Sequence, residues 1–232
     1  MDIRGSALIF CVVFWLRSPS FRSGTEDLKQ ITLDTGLDSE PSVSGNGEQV
    51  AYASDRSGEG NLDIWLQRVS ANAPVRLTNH APDDHAPSIS PDGGSVAFRS
   101  ERDGGGIYLV PGAAGKEARL LAPTKGRNPR FSPDGRWIAY WGETEGASKI
   151  YVLPSSGGEP RQIAPEFAAA YPIWSPDSKS LLFPGRKGAI PGSVDTDWWV
   201  SSLDSGEPQN TGGRRAFRQH AVLRAAARIR LV

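Results

Sequence analysis

The sequence of 232 residues contains a single cysteine, Cys11, which excludes a disulfide within the chain. Histidines are also scarce: there are three, too few for an ordinary zinc site without carboxylate ligands. The chain has no G-x-S-x-G nucleophile motif, no phosphate-binding glycine loop and no H-E-x-x-H. We therefore expect no enzymatic activity, no catalytic residues, no metal and no cofactor.

Net charge is lacking as well, since 26 basic residues balance 26 acidic ones. The balance is uneven, because residues 214–232 hold six arginines and no acid, which leaves 20 basic against 26 acidic side chains elsewhere. A mildly acidic body does not provide the basic face that nucleic-acid binding requires. We expect no nucleic-acid partner, and we expect the basic tail, residues 214–232, to lie outside the folded domain.

No apolar run is long enough to span a bilayer, which takes about 20 residues. The longest near the N-terminus, residues 7–16, follows Arg4 and fits the hydrophobic part of a signal peptide. Residues 1–23 are thus expected to be a signal-like leader or a membrane anchor. This predicts a periplasmic protein, or one tethered to the membrane and facing the periplasm; a disordered leader is the alternative.

What the chain does have is an internal repeat. Residues 41–52 align with 87–98, 129–140 and 172–183, and each copy opens with proline. The steps between these prolines are 46, 42 and 43 residues, which is typical of one four-stranded propeller blade per repeat. We predict an all-β propeller of four antiparallel blades over residues 24–213, with repeats starting near 41, 87, 129 and 172.

Each repeat reads as a series of strands and turns. A Ser-Pro-Asp-Gly turn, complete in the second and third copies, joins a short inner strand that opens with proline to a second strand. A third, nearly apolar strand follows, as in residues 107–110, and its pattern indicates burial on both faces. A fourth, outer strand closes the unit.

The ends of the repeat array leave two alternatives. An odd outer strand, residues 28–33, precedes the first complete unit, whereas we expect the fourth unit to lack its own because residues 208–211 are polar. Either residues 28–33 complete the fourth blade of a closed ring, or the chain is an incomplete propeller.

Residues 53–58, 61–65, 76–78 and 87–93 resemble the repeat of TolB-type propellers, WD-like repeats with a Ser-Pro-Asp-Gly signature. The resemblance covers about residues 28–210. It implies a periplasmic module that docks proteins or peptides. Similar repeats also form the sensory part of bacterial kinases and winged-helix regulators, and the lid of prolyl-oligopeptidase-like peptidases. Because a fold alone does not assign an activity, we expect a non-catalytic binding module for a protein, a peptide or a small ligand. A sensory fragment and a peptidase propeller without its catalytic domain remain as alternatives.

The connections that enter the inner strands should surround one mouth of the propeller, where loops on a rigid scaffold often bind ligands. This places a candidate binding site at Asp38, Glu40, Asp83, Asp84, His85, Arg127, Asn128 and Tyr171. The alternative is that these eight residues are ordinary polar residues of the protein surface with no role in binding. The Asp-Arg and Glu-Arg pairs at 55–56 and 101–102 recur with the repeat, which favours a structural role.

Overall fold

The computed structural model describes residues 30–32, 35–71, 73–188, 196–204 and 207–212. The expected leader, residues 1–23, and the basic tail, residues 214–232, lie outside these residues. The chain divides into two compact units, Met1–Ile31 and Thr32–Val232, and the fold below belongs to the second. In the described ranges, no helix has the length and apolar character needed to cross a membrane.

The described residues form four antiparallel sheets, each made from one consecutive stretch of chain. Sheet 1 contains β1 (Asp38–Val43), β2 (Gln49–Ser54), β3 (Asp63–Arg68) and β4 (Val75–Arg76). Sheet 2 contains β5 (Asp84–Ile89), β6 (Ser95–Ser100), β7 (Gly106–Pro111) and β8 (Arg119–Ala122). Sheet 3 contains β9 (Arg127–Phe131), β10 (Trp137–Thr144), β11 (Ala147–Pro154) and β12 (Arg161–Ile163). The predicted all-β propeller architecture is confirmed.

Sheet 4 departs from the others in its first strand, which is split into β13 (Phe167–Ala169) and β14 (Ile173–Trp174). The sheet continues with β15 (Ser180–Lys187), β16 (Asp197–Ser202) and β17 (Gln209–Asn210). The expectation that this unit lacks an outer strand of its own is wrong, because β17 pairs with Trp199 and Val200 of β16. A polar edge strand needs only backbone pairing on one side, so its sequence carries little apolar signal.

The sheets pack face to face through a repeated match of small and large side chains. In sheets 1 to 3, the forward face presents a buried alanine of the second strand, as at Ala51 and Ala139. The rear face of the following sheet presents a buried aromatic ring, as at Phe98 and Phe183. The resulting apolar clusters join sheets 1 and 2, sheets 2 and 3, and sheets 3 and 4.

The forward face of sheet 4 breaks this series. Leu182, Pro184, Trp198 and Val200 occupy positions whose counterparts in sheets 1 to 3 are mostly fully buried, yet all four are only half-buried. Among the described residues, no apolar cluster joins sheet 4 to sheet 1. The four sheets therefore form an open row rather than a closed ring.

Candidate functional site

The inner strands share an irregularity that directs their first residues toward one place. Glu40, Ala86, Asn128 and Tyr171 all have a positive φ of 47–53°. Each precedes the repeat proline, and the strand pairing shifts there in sheets 1 to 3. Left-handed backbone is uncommon outside glycine, and its fourfold recurrence marks a built feature. The expectation that proline opens the inner strand is wrong: in sheets 1 to 3 the proline lies inside the strand, at this bulge.

Residues beside these bulges line one cavity of about 360 Å³, which we call the inner-strand cavity. Its lining residues are Glu40, His85, Ala86, Arg99, Arg127, Asn128, Trp141 and Tyr171. Each of the four sheets contributes at least one residue, so the cavity lies where the inner strands converge. Its volume is within the usual range for ligand pockets.

Five of the eight residues expected at the mouth line this cavity. They are Glu40, His85, Arg127, Asn128 and Tyr171. Whether they bind a ligand stays a prediction.

The other three residues expected at the mouth have structural contacts. Asp38 pairs with Arg56 at 3.5 Å, and the fully buried Asp84 pairs with Arg102 at 2.7 Å. Asp83 Oδ1 accepts a hydrogen bond from the backbone N–H of Leu62 at 2.8 Å.

The arginines that recur after the second strand are part of the sheet architecture. The Arg56 guanidinium lies over the rings of Tyr52 and Trp65, at 5.0 and 5.1 Å from their centroids. Arg102 lies over Phe98 and Tyr108 in the same way. Each arginine thus contacts both an inner-strand carboxylate and an aromatic pair of its own sheet. The carboxylates are those of Asp38 and Asp84, not those of the adjacent acids at 55 and 101.

Sequence reasoning missed two lining residues with distinctive chemistry, Arg99 and Trp141. Both occupy one repeat position, opposite the inner strand just before the bulge, where sheet 1 has Ala53 and sheet 4 has Pro184. A signal was available, because this position holds four different residues while its neighbours repeat.

An aromatic and cationic stack forms one wall of the cavity. The Arg127 guanidinium lies 5.5 Å from the Trp141 ring centroid, within cation–π range. The Tyr171 ring packs on the same indole, with centroids 5.1 Å apart and a 53° tilt, and Tyr171 remains 56% exposed. This wall offers a charge and a partly open apolar surface together.

Acidic and imidazole groups form another part of the cavity lining. Glu40 Oε2 accepts a hydrogen bond from the backbone N–H of Ala86 at 2.9 Å and lies 3.7 Å from His85 Nδ1. In the described part of the chain, no group of three or more His, Cys, Asp or Glu side chains is placed to hold a metal ion.

A second, more open depression of about 590 Å³ adjoins this site, and we call it the side depression. It is lined by residues 145–148, 168–171, 184–186 and 196. Tyr171 lines both the side depression and the inner-strand cavity. The two spaces therefore offer room for a ligand longer than either one.

A comparison with solved structures identifies the fold. TolB from Acinetobacter baumannii superposes with a TM-score of 0.64 at 20% identity, covering 80% of this chain and 46% of that one. A putative TolB from Agrobacterium tumefaciens gives 0.65 at 21% identity, over 81% and 70% of the two chains. The β-propeller domain of the Trilobed protease from Pyrococcus furiosus gives 0.55 at 17%, over 77% and 58%.

The chain therefore has a TolB-like β-propeller fold, as its repeats suggested. It spans about half the length of the A. baumannii TolB chain. No family model matches the sequence, and no curated protein does. At these identities the likeness concerns the fold, so any function has to be argued from the site.

Proposed function

We propose that this chain is a non-catalytic binding module that holds a segment of a partner protein in the inner-strand cavity. The observation that carries the proposal is the convergence of all four sheets on one cavity. The side chains there differ from sheet to sheet, although the backbone positions are equivalent. Variation at a position that the fold keeps constant is what ligand recognition on a repeat scaffold requires.

A peptide fits this site better than a compact small molecule. The inner-strand cavity and the side depression share Tyr171, so an extended ligand can occupy both. Exposed Tyr171 and Arg127 supply the residue types that dominate binding at protein interfaces. Such a partner agrees with a periplasmic or membrane-tethered location, which the apolar run at residues 7–16 suggests.

A second candidate is a propeller domain that serves a peptidase. It is supported by the likeness to the propeller domain of the Trilobed protease. The half-buried forward face of sheet 4 also supports it, since such a face suits contact with a further domain. The sensory alternative has no comparable observation in its favour.

Selection from a displayed library of random peptides, with the full chain as bait, tests the proposal. We expect enriched peptides whose binding is weakened at least about tenfold by Tyr171→Ala or Arg127→Ala, as truncation of a central contact implies. Arg136→Ala is the matched control, because Arg136 is 78% exposed and pairs with Asp134 in the turn between β9 and β10. It should leave binding unchanged.

Two results would overturn the proposal. One is a selection that enriches no peptide. The other is a set of enriched peptides whose binding survives both cavity substitutions, which would place their site elsewhere. Melting curves of the variants establish that any loss does not come from unfolding.

A further inference from the structure

Two side chains that line the inner-strand cavity, Arg99 and Trp141, each carry a buried hydrogen-bond donor. Arg99 Nε and Trp141 Nε1 are both shielded from solvent, and neither has a hydrogen-bond partner among the described residues. Both groups can only donate. Buried donors are nearly always satisfied, so two unsatisfied ones in side chains that line one cavity call for an explanation.

The two donors occupy equivalent positions in neighbouring sheets. Arg99 pairs with His85 across sheet 2, and Trp141 pairs with Arg127 across sheet 3. Another nitrogen of the same guanidinium group has a partner, because Arg99 Nη2 donates to Glu101. Because the guanidinium group is planar and rigid, this contact also fixes the direction of the Arg99 Nε–H bond.

Positive charge accompanies these donors. Arg127 is exposed, stacks on the Trp141 ring and forms no ion pair within the described ranges. The one carboxylate on the lining, Glu40, is already engaged by the backbone N–H of Ala86. One cation without an ion pair and two donors without an acceptor together complement a small anion.

The neighbouring acids limit the charge of that anion. Glu40 lines the cavity, and Glu101 pairs with Arg99, which also lines it. Asp83 lies 3.9 Å from His85, another lining residue. A doubly charged phosphate would be repelled by these groups, whereas a carboxylate carries one charge that Arg127 can balance.

On this basis we propose that the inner-strand cavity recognises a carboxylate group of its ligand, held by Arg127, Arg99 Nε and Trp141 Nε1. The inference rests on the proposed function and names the ligand chemistry of the same site. Since both donor atoms are shielded in the free protein, binding includes a small opening of the wall. Tyr171 packs on Trp141 and is 56% exposed, so its outward movement can provide that opening.

NMR of the ¹⁵N-labelled full chain tests the proposal through the indole N–H signals of its seven tryptophans. Trp141→Phe assigns the Trp141 signal by its loss. The probes are N-acetyl-trialanine as the free acid, the same peptide as its amide, N-acetyl-Ala-Glu-Ala amide and inorganic phosphate. The free acid should shift the Trp141 signal and bind at least about tenfold tighter than the amide, as charge-assisted hydrogen bonds imply.

Variants separate the contributions to binding. Arg127→Gln should reduce the affinity for the free acid to that of the amide. Trp141→Phe leaves an aromatic ring at the position but removes the donor, so it should weaken binding of the free acid about tenfold and leave binding of the amide unchanged. Trp65→Phe is the matched control, because Trp65 Nε1 is another buried donor with no partner in the described part of the chain, and Trp65 does not line the cavity. It should change neither affinity.

The outcomes distinguish this proposal from the proposed function. Tight binding of the glutamate-containing amide would assign the site to a side-chain carboxylate, and tight binding of the free acid alone would assign it to a chain end. Equal binding of acid and amide, or tighter binding of phosphate, overturns carboxylate recognition while peptide binding at the cavity stands. If no probe shifts the Trp141 signal but displayed peptides bind at the cavity, carboxylate recognition is wrong and the proposed function stands.

Discussion

The two ends of the inner strands can be compared four times, because each sheet supplies one copy of both. At the turn end, a serine hydroxyl donates to the Asn or Asp two residues later, in all four sheets. The same hydroxyl accepts the backbone N–H five residues later, at 2.9–3.0 Å. These contacts barely differ among Ser44, Ser90, Ser132 and Ser175.

The cavity end keeps its backbone but not its side chains. The left-handed residue is glutamate, alanine, asparagine or tyrosine, although φ varies by only a few degrees. The position just before it on the strand faces alanine in sheet 1 and arginine or tryptophan in sheets 2 and 3. Uniform side-chain contacts at one end therefore serve folding, whereas varied side chains at the other end are free to serve binding.

Breaking the turn end should give the largest change in stability. Ser132 is fully buried, and Ser132→Ala removes both the acceptor of the Trp137 N–H and the donor to Asp134. We expect the free energy of unfolding to fall by about 1–3 kcal/mol, measured by urea denaturation, with peptide binding unchanged. The exposed Ser156→Ala should shift stability by no more than about 0.5 kcal/mol. An unchanged urea midpoint for Ser132→Ala would contradict a folding role for this end.

Relaxing the cavity end should have a smaller effect of opposite sign. Ala86 has a φ of 47°, where a methyl group is unfavourable and glycine is not. Ala86→Gly should raise the free energy of unfolding by about 0.5–1 kcal/mol, since relief of strain exceeds the added freedom of the unfolded chain. Ala97→Gly, in the ordinary backbone of β6, should instead lower it by roughly 1 kcal/mol. Destabilisation by both substitutions would show that Ala86 is not strained.

The smallest effect concerns pH at the turn end. Desolvation opposes ionisation of Asp134, but hydrogen bonds from Ser132 and from the backbone and side chain of Arg136 outweigh it and lower the pKa of Asp134 to about 2. A lowered pKa in the folded state adds stability above the ordinary value of 3.8, and this stability is lost as the pH falls toward 2. Asp134→Asn, which copies Asn46 of sheet 1, should therefore flatten the decline in melting temperature below pH 4. If the melting temperature of the variant declines as steeply as that of the unaltered chain, protonation of Asp134 does not contribute to the acid destabilisation.

The repeat made the turn end predictable from sequence. Ser-Pro-Asp-Gly strongly favours a tight turn, so its two complete copies and two close variants set the spacing of the strands around them. The fourth copy, which has Ser178 in place of glycine, also forms its turn. Ser178 has a φ of 61°, and its hydroxyl accepts the backbone N–H of Asp134. This contact between neighbouring sheets was not visible in the sequence.

The cavity end was predictable only in part. Chain order located the residues that enter the inner strands, and five of those expected lie on the cavity. The pairing of Asp38 and Asp84 with Arg56 and Arg102 was not visible, because each arginine lies 18 residues further along the chain. Arg99 and Trp141 were missed because they lie on the second strand, where a loop-based search does not look.

A row of sheets with neighbours on one or two sides does not distribute stability evenly. Among the described residues, sheets 2 and 3 share apolar clusters on both faces, whereas sheet 4 shares one on its rear face alone. In such a linear array each unit is held by nearest-neighbour coupling, so states in which only the terminal unit has opened lie lowest in free energy. Tyr171 lies between β13 and β14 of sheet 4, at one end of the row. A ligand that touches Tyr171 together with Arg99 or Trp141 would therefore add a coupling across the row and make its unfolding more cooperative.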